Sequence, residues 1–372
     1  MASPDTIGRR ILESTGNTSG FDYLRLILAF SVLGWHTIPL CYGKEFAAQV
    51  LASPIGNLVR LVLPMFFALS GFLVAASLER SSSLPVFLGL RGLRILPALT
   101  VEVLLSALIL GPLVTTLPIG DYFRGHQLHV YFLNVTGWIH YELPGVFGTN
   151  PYPNVVNGQL WTVPYELECY FGLAILALAA VTRKYPKTLV AMLLVASVLV
   201  GVWNHYRGIT TFGEGVPGRA LVLYFLAGVT IYLWRASIPF NRRLFLLCAA
   251  VSVALMVSDA LIYLSPLPLA YSTAYLGLLR PKRIPVLLGG DYSYGIYLYA
   301  FPIQQAVAFG LPRVWYVHLP LALAGTLLVA AFSWHVVEKP TLRLKRLLKS
   351  TGPARARSLL PESTATAPAA PQ

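Results

Sequence analysis

Two ionisable residues, Arg25 and His36, lie within an apolar run near the start of the chain. Helical residues advance about 100° each, so this spacing places both side chains on one face, about 16 Å apart along the axis. An arginine binds phosphate through a fork of donors, and a histidine can accept a hydroxyl proton near neutral pH. The pattern favours a site for a long substrate with a phosphate at one end. A snorkelling arginine and a histidine bonded to a neighbouring helix are the alternative.

A second pair of arginines, Arg91 and Arg94, opens a later apolar run that continues through Pro97. Residues three apart on a helix share a face, so the two guanidinium groups could clamp phosphates at the mouth of a membrane helix. Ordinary anchoring by a positively charged loop predicts the same pattern. Coenzyme A has phosphates and a long flexible arm, so its shape suits arginines at one end and His36 at the other.

Two carboxylates, Glu166 and Glu168, lie where another apolar run begins, shortly after Trp161. A carboxylate at membrane depth needs a partner, a proton or water. The two side chains point about 200° apart on a helix, so only one of them can face a common cavity. We expect this one to be Glu166, as a group that orients His36 or touches an acceptor.

Glu338 lies near the inner end of the last apolar run, two residues before Pro340. It could pair with Arg25 or with the arginines at positions 91 and 94. Ordinary pairing with a loop lysine is equally compatible with the sequence.

Three hydroxyl-bearing residues are further candidates. Ser70 lies among small and apolar residues, which normally indicate close helix approach, and the sequence shows no neighbouring base that would make it a nucleophile. Tyr294 and Tyr297 share a helix face and could line a pore or anchor the helix at the membrane interface.

The composition around these residues is that of a membrane protein. The 372-residue chain is 56% hydrophobic and 12% charged, with a mean hydropathy of +0.65, whereas soluble domains are about 25% charged. We predict an all-α polytopic protein with about ten transmembrane helices. The predicted spans lie near residues 21–40, 56–78, 93–115, 160–181, 188–203, 219–236, 243–258, 262–279, 291–311 and 319–338.

The basic residues predict the orientation of these spans, because lysine and arginine accumulate in cytoplasmic loops. With a cytoplasmic N-terminus, 22 of the 28 basic residues fall on the cytoplasmic side. The other six are Lys44, Arg60, Arg124, Arg207, Arg219 and Arg313. We therefore predict a multi-pass membrane protein with both termini in the cytoplasm.

This organisation predicts a cytoplasmic N-terminal segment at 1–20, a membrane domain at 21–340, and a basic and then disordered cytoplasmic tail at 341–372. The long outer connection at 116–159 is rich in aromatic residues, Pro, Gly and Asn. Such side chains stack on sugars and hydrogen-bond to them, so the connection is a candidate acceptor surface. An interfacial aromatic belt is the alternative.

Other classes of partner find little support in the sequence. The net charge of +13 follows from the positive cytoplasmic loops, so we expect no nucleic acid partner. The three cysteines, Cys41, Cys169 and Cys248, match no metal or disulfide framework, and we expect no metal.

Together these segments resemble the membrane-bound acyltransferase-3 family, in a likeness that runs from Phe21 to about Pro340. Each motif is loose, and six motifs in the family's order are specific. They are Phe21-Asp22-x-x-Arg25 with His36, Phe66-Phe67-x-x-Ser70-Gly71-Phe72, Arg91-x-x-Arg94-Ile-x-Pro97, Leu160-Trp161-x-x-Pro164-x-Glu166, Ser293-Tyr294-x-x-Tyr297 and Glu338-x-Pro340.

The resemblance implies a ten-span acyltransferase that takes an acyl group from cytoplasmic acyl-CoA, with acetyl-CoA as the expected donor. It implies His36 as the catalytic residue and Arg25, Arg91 and Arg94 as coenzyme contacts. It makes site residues of Glu166 and Glu338, with Asp22, Ser70, Trp161, Tyr294 and Tyr297 as further candidates. The implied acceptors are extracytoplasmic glycans or glycolipids, including exopolysaccharide, O-antigen and lipo-oligosaccharide. The implied location is the bacterial cytoplasmic (inner) membrane.

Two other functions would use the same buried charges. A proton-coupled transporter would use them as an ion path, but its expected internal symmetry and paired broken helices are not evident in the sequence. A non-catalytic partner of a glycan assembly machinery would keep them as structural groups only.

Overall fold

The computed structural model describes residues 5–14, 19–181, 186–210, 212–213, 215–285 and 288–350. Within these residues the chain forms a bundle of helices. The α-helices are α1 (Ile7–Glu13), α2 (Ser19–Ala52), α3 (Pro54–Glu79), α4 (Leu84–Leu105), α5 (Gly111–Val114), α6 (Ile119–Arg124), α7 (His126–Tyr131), α8 (Val163–Val181), α9 (Pro186–Tyr206), α10 (Gly218–Leu233), α11 (Arg242–Leu255), α12 (Pro266–Gly277), α13 (Ser293–Gly310), α14 (Trp315–Ser333), α15 (Lys339–Arg343) and α16 (Lys345–Ser350).

Shorter elements complete the described part of the chain. Two strands, β1 (Phe212–Gly213) and β2 (Val216–Pro217), form an antiparallel pair. The 3₁₀ turns are Phe132–Thr136, Gly158–Thr162 and Leu261–Leu264, and the π-helical turns are Ser106–Leu110 and Trp334–Glu338.

Six of the described helical segments are long and apolar enough to cross a membrane. They are Ser19–Ala52, Pro54–Glu79, Leu84–Val114, Gly158–Ala179, Lys187–Tyr206 and Trp315–Leu348. Helices also lie in the other four predicted spans, but α10, α11 and α12 have 16, 14 and 12 residues, fewer than the roughly 20 that a crossing needs. The fold is an all-α, multi-pass membrane protein, and the count of ten spans and the orientation of the termini stay predictions.

Glycines let the helices α3 and α10 approach each other closely. A Cβ atom at Gly71 on α3 would overlap the carbonyl of Phe225 on α10, and one at Gly228 on α10 would overlap the carbonyl of Ala68 on α3. The two backbones therefore meet directly, as small residues in membrane helices allow. This contact fixes the part of α3 that carries Ser70.

Each of the two π-helical turns ends just before a proline. Gly111 donates to the carbonyl of Ser106, and the next residue, Pro112, has no N–H. The carbonyl of Ala107 is therefore left without a backbone donor, and the Tyr122 hydroxyl bonds to it at 2.6 Å. In the second turn Lys339 donates to Trp334, and Pro340 follows.

The outer connection is ordered and is fastened to the bundle by asparagines. Asn157 donates to the carboxylate of Glu102 on α4 at 2.8 Å and to the carbonyl of Leu298 on α13 at 3.1 Å. That carbonyl would otherwise pair with residue 302, which is Pro302 and cannot donate. Buried amides at these positions turn the connection into a fixed wall of the protein.

The two ends of the chain are described in part. Ile7 donates to the carbonyl of Ile238 at 3.0 Å, which ties α1 to the segment after α10. At the other end, α15 and α16 make residues 341–350 mainly helical. The disorder predicted for the rest of the tail lies outside the described residues.

Candidate active site

A cavity of about 620 Å³ lies beside His36. Its walls come from α2, from the outer connection, from the start of α8 and from α13, and aromatic and aliphatic side chains make up most of them. The lining residues are Trp35, His36, Pro39, Lys44, Ala47, Ala48, Leu51, Ile139, Tyr141, Tyr152, Val155, Gly158, Trp161, Pro164, Tyr165, Gly218 and Phe301.

Gly43 allows α2 to wrap around this cavity. Its φ of 86° lies in the left-handed region and interrupts the helix. His36 lines the cavity before the interruption, and Lys44 and Leu51 line it afterwards. A straight helix would carry the later residues away from His36.

His36 is almost fully enclosed, with 1% of its surface exposed. Its ring meets the ring of Phe301 on α13 edge to face, with centroids 5.1 Å apart. Between Arg25 and His36 α2 is uninterrupted, so the predicted separation of about 16 Å along the axis applies to the fold.

Asp291 joins two of the predicted arginines at the other end of this α2 segment. Its Oδ2 atom accepts from Arg25 at 3.2 Å and from Arg94 at 2.8 Å. Arg25 also pairs with Asp22 at 2.7 Å, and Arg283 lies 3.7 Å from the same carboxylate. The tertiary fold therefore gathers Arg25 and Arg94 into one cluster and includes Asp22 in it.

Glu338 extends the cluster from the π-helical turn before Pro340. It is only 3% exposed, and its carboxylate lies 3.7 Å from Arg94. Ser333 donates to Glu338 at 3.3 Å. Arg94 also lies over the ring of Tyr294, 5.6 Å from the centroid. Of the pairings that the sequence allowed for Glu338, the structure has the one with Arg94.

Tyr170 connects the remaining candidates in a second, adjoining network. Its hydroxyl donates to Glu166 at 2.5 Å, and Ser70 and Arg91 lie close to it. Arg91 donates in addition to the Ser77 hydroxyl at 3.2 Å. Ser70 is thus placed beside a tyrosine.

Glu166 belongs to the arginine end of the site. Arg91 and Arg94 are the cations that act on its carboxylate, and Glu166 is not among the residues that line the cavity of His36. Glu168 points away, is exposed, and pairs with Arg219. Of the two carboxylates Glu166 is the one that faces the arginines, but it does not line the cavity of His36, and its predicted role in orienting His36 stays a prediction.

Tyr297 and Thr162 form a layer between the arginine cluster and the cavity. The Tyr297 hydroxyl is 2.6 Å from the Thr162 hydroxyl, and its ring meets Phe66 edge to face at 5.8 Å. On α13, Tyr297 comes three residues after Tyr294, which contacts Arg94, and four residues before Phe301, which contacts His36. Trp161, another predicted site residue, lines the cavity beyond this layer.

Sequence reasoning missed two residues that organise the site. Asp291 is visible in the sequence as the acid just before the tyrosine run, but its two arginine partners are 266 and 197 residues away. Tyr170 is one turn after Glu166, a spacing that predicts a shared face. That spacing was the available signal for Tyr170, whereas no local signal indicates the partners of Asp291.

This arrangement places a buried histidine in a cavity and joins it by one helix to a cluster of arginines, which suits group transfer from a phosphate-bearing donor. A family model described as an acyltransferase domain matches residues 18–336. The chain therefore belongs to the acyltransferase-3 family and is an acyltransferase.

Two curated relatives match along nearly their whole length. An "O-acetyl transferase" of Shigella phage Sf6 is 28% identical over 340 residues, which cover 86% of this chain and 94% of the relative. "Nodulation protein 10" of Rhizobium leguminosarum bv. viciae is 29% identical over 376 residues, which cover 90% of this chain and 96% of the relative. No solved structure matches the chain significantly.

Proposed function

We propose that this chain transfers an acetyl group from cytoplasmic acetyl-CoA to a hydroxyl of an extracytoplasmic glycan or glycolipid in the bacterial inner membrane. Exopolysaccharide, O-antigen and lipo-oligosaccharide are the acceptor classes. The observation that carries the proposal is the position of His36, which lines a cavity of about 620 Å³ and shares a helix with Arg25. The relative named as an O-acetyl transferase supports acetyl as the group transferred.

The arginine cluster suits the phosphates of the donor. The Nε atoms of Arg25 and Arg91 are buried and have no hydrogen-bond partner among the described residues, so they can bond to an anion. The carboxylates of Asp22 and Asp291 hold the guanidinium group of Arg25 in place. Bound phosphates would add to these contacts or exchange with the carboxylates.

The arm of coenzyme A would then pass the layer of Tyr297 and Thr162 and bring the thioester to His36. His36 removes the proton of the acceptor hydroxyl while the oxygen attacks the thioester carbonyl. A carbon–oxygen bond forms, the carbon–sulfur bond breaks, and the thiolate takes the proton from His36. A relay through an acetylated His36 gives the same products. The apolar and aromatic side chains of the cavity wall would limit the access of water, which would otherwise hydrolyse the thioester.

The test is acetyl transfer by the purified chain in liposomes, with radiolabelled acetyl-CoA and a mixture of bacterial glycolipids. Label should appear in the glycan with the wild type and be lost with His36→Ala. His205→Ala is the matched control, because His205 is a half-buried histidine of α9 that does not line the cavity. Full transfer by a folded His36→Ala protein would exclude the catalytic role. Proton or solute flux without any transfer would replace the proposal with a transporter.

A further inference from the structure

We infer that two adjacent residues of α13, Gln304 and Gln305, are positioning residues for acyl transfer. Gln304 holds the turn of α2 that carries His36, and Gln305 holds the wall of the cavity that faces the acceptor. The second role rests on the proposed function, since it assumes that an acceptor enters this cavity.

Gln304 is fully buried and its amide reaches across to α2. It donates to the carbonyl of Leu33 at 2.9 Å and to the hydroxyl of Thr37 at 3.0 Å. His36 lies between these two acceptors on the same helical turn. Because the two bonds start from one planar amide, they fix both the height and the rotation of α2 relative to α13.

A third helix, α14, hydrogen-bonds to the backbone of the same glutamine. His318 on α14 is fully buried, and its Nε2 donates to the carbonyl of Gln304 at 2.9 Å. One turn earlier on α13, Phe301 presents its ring to His36. The ring of His36 therefore rests against α13 at a place where α13 is itself fixed to α2 and α14.

Gln305 is also fully buried but reaches the outer connection, because consecutive helical residues point about 100° apart. Its amide donates to the carbonyl of Tyr152 at 2.7 Å and to that of Val155 at 2.6 Å, and both residues line the cavity. Asn150 donates to the Gln305 side-chain oxygen at 2.7 Å. Every polar atom of this amide is thus used to hold one wall.

Burying a glutamine lowers stability unless its amide is hydrogen-bonded. Two buried glutamines would therefore not stabilise a membrane helix if they only filled space. Apolar residues of similar volume would pack the same spaces. The bonds of Gln304 end on the turn of α2 that carries His36, and those of Gln305 end on two residues of the outer connection that line the same cavity. Holding reacting groups within a fraction of an ångström is what such bonds contribute to catalysis.

The variants Gln304→Met and Gln305→Met keep the side-chain volume and remove the donors. Gln49→Met is the matched control, because Gln49 lies on α2 but is exposed and does not line the cavity. Initial rates are measured in liposomes with radiolabelled acetyl-CoA and O-antigen glycolipid. Gln304→Met should lower kcat by roughly 100-fold with little change in the acceptor KM. Gln305→Met should raise the acceptor KM by about tenfold with a smaller effect on kcat.

Two readouts without substrate separate this inference from the proposed function. The first is the rate at which diethyl pyrocarbonate modifies His36, read by peptide mass spectrometry, which should rise in Gln304→Met only. The second is amide hydrogen exchange at residues 150–156, which should rise in Gln305→Met only. Equal effects of both variants on kcat and KM, or unchanged modification and exchange rates, would overturn the inference. Absence of transfer by the wild type and by every variant would count against the proposed function. The modification rate and the exchange rate would still test whether Gln304 and Gln305 position α2 and the cavity wall.

Discussion

The carboxylate of Asp291 accepts a hydrogen bond of 2.8 Å from Arg94, across 197 residues of sequence. The same oxygen accepts from Arg25. Asp291 thereby joins the start of α13 to α2 and α4, the three helices that carry the arginine cluster and the contacts of His36. Asp291 thus contributes both to the packing of three helices and to the arginine cluster.

Removing this carboxylate should destabilise the protein. Asp291→Asn removes the negative charge that compensates two arginine side chains at a partly buried site. We therefore expect the free energy of unfolding to fall by about 2 kcal/mol after allowance for solvent screening. The measurement is thermal unfolding of the purified chain in nanodiscs. Asp259→Asn is the control, because Asp259 pairs with Arg60 at 2.9 Å but is 45% exposed. Equal losses of stability in the two variants would mean that the ion pairs of Asp291 contribute no more than an exposed surface pair.

Arg91→Met should weaken the binding of coenzyme A. Arg91 donates to the hydroxyl of Ser77 and keeps an unshared Nε donor among the described contacts. The loss of one charge-assisted contact to phosphate corresponds to a Kd higher by roughly 10- to 100-fold. Binding of tritiated coenzyme A to liposomes measures the effect. Arg80→Met, a change at an exposed arginine, should leave the Kd unchanged, and an equal effect there would indicate non-specific attraction.

Tyr170→Phe should lower the rate of transfer by about tenfold, because the Tyr170 hydroxyl holds Glu166 in place close to Ser70 and Arg91. Tyr224→Phe provides a matched control. Its hydroxyl is also buried and bonded, to Ser265 at 2.6 Å, but in a part of the bundle away from the arginines. Both changes should lower the thermal stability, and only Tyr170→Phe should lower kcat. A parallel fall of kcat in both variants would reduce the Tyr170 network to a structural role.

Much of this site could be predicted from periodicity and hydropathy. The shared face of Arg25 and His36 depends on helix geometry alone, and so does the opposite direction of Glu166 and Glu168. Both relationships are local, within 11 residues, and one regular helix decides them.

The rest depends on contacts that no local pattern encodes. The sequence placed Glu166 with His36 as one possibility, whereas the fold places it with Arg91 and Arg94, because the crossing of α4 and α8 is a tertiary property. The burial of Glu338 arises in a π-helical turn before Pro340, and a proline by itself predicts only a kink or an end. Gly43 marks the interruption that bends α2 around the cavity, but a glycine in a sequence does not by itself predict such a bend.

Lys44 should contribute to the binding of an anionic acceptor. Its ammonium lies 4.4 Å from the centroid of the Tyr152 ring, and the described cavity wall contains no aspartate or glutamate. Lys44→Gln should therefore raise the KM of a phosphate-bearing glycolipid severalfold at low ionic strength and less in high salt, since salt screens exposed charges. Lys187→Gln is the control, because Lys187 also lies over an aromatic ring, that of Trp234, but outside the cavity. A KM that is unchanged at both ionic strengths would leave Lys44 as a packing residue of Tyr152.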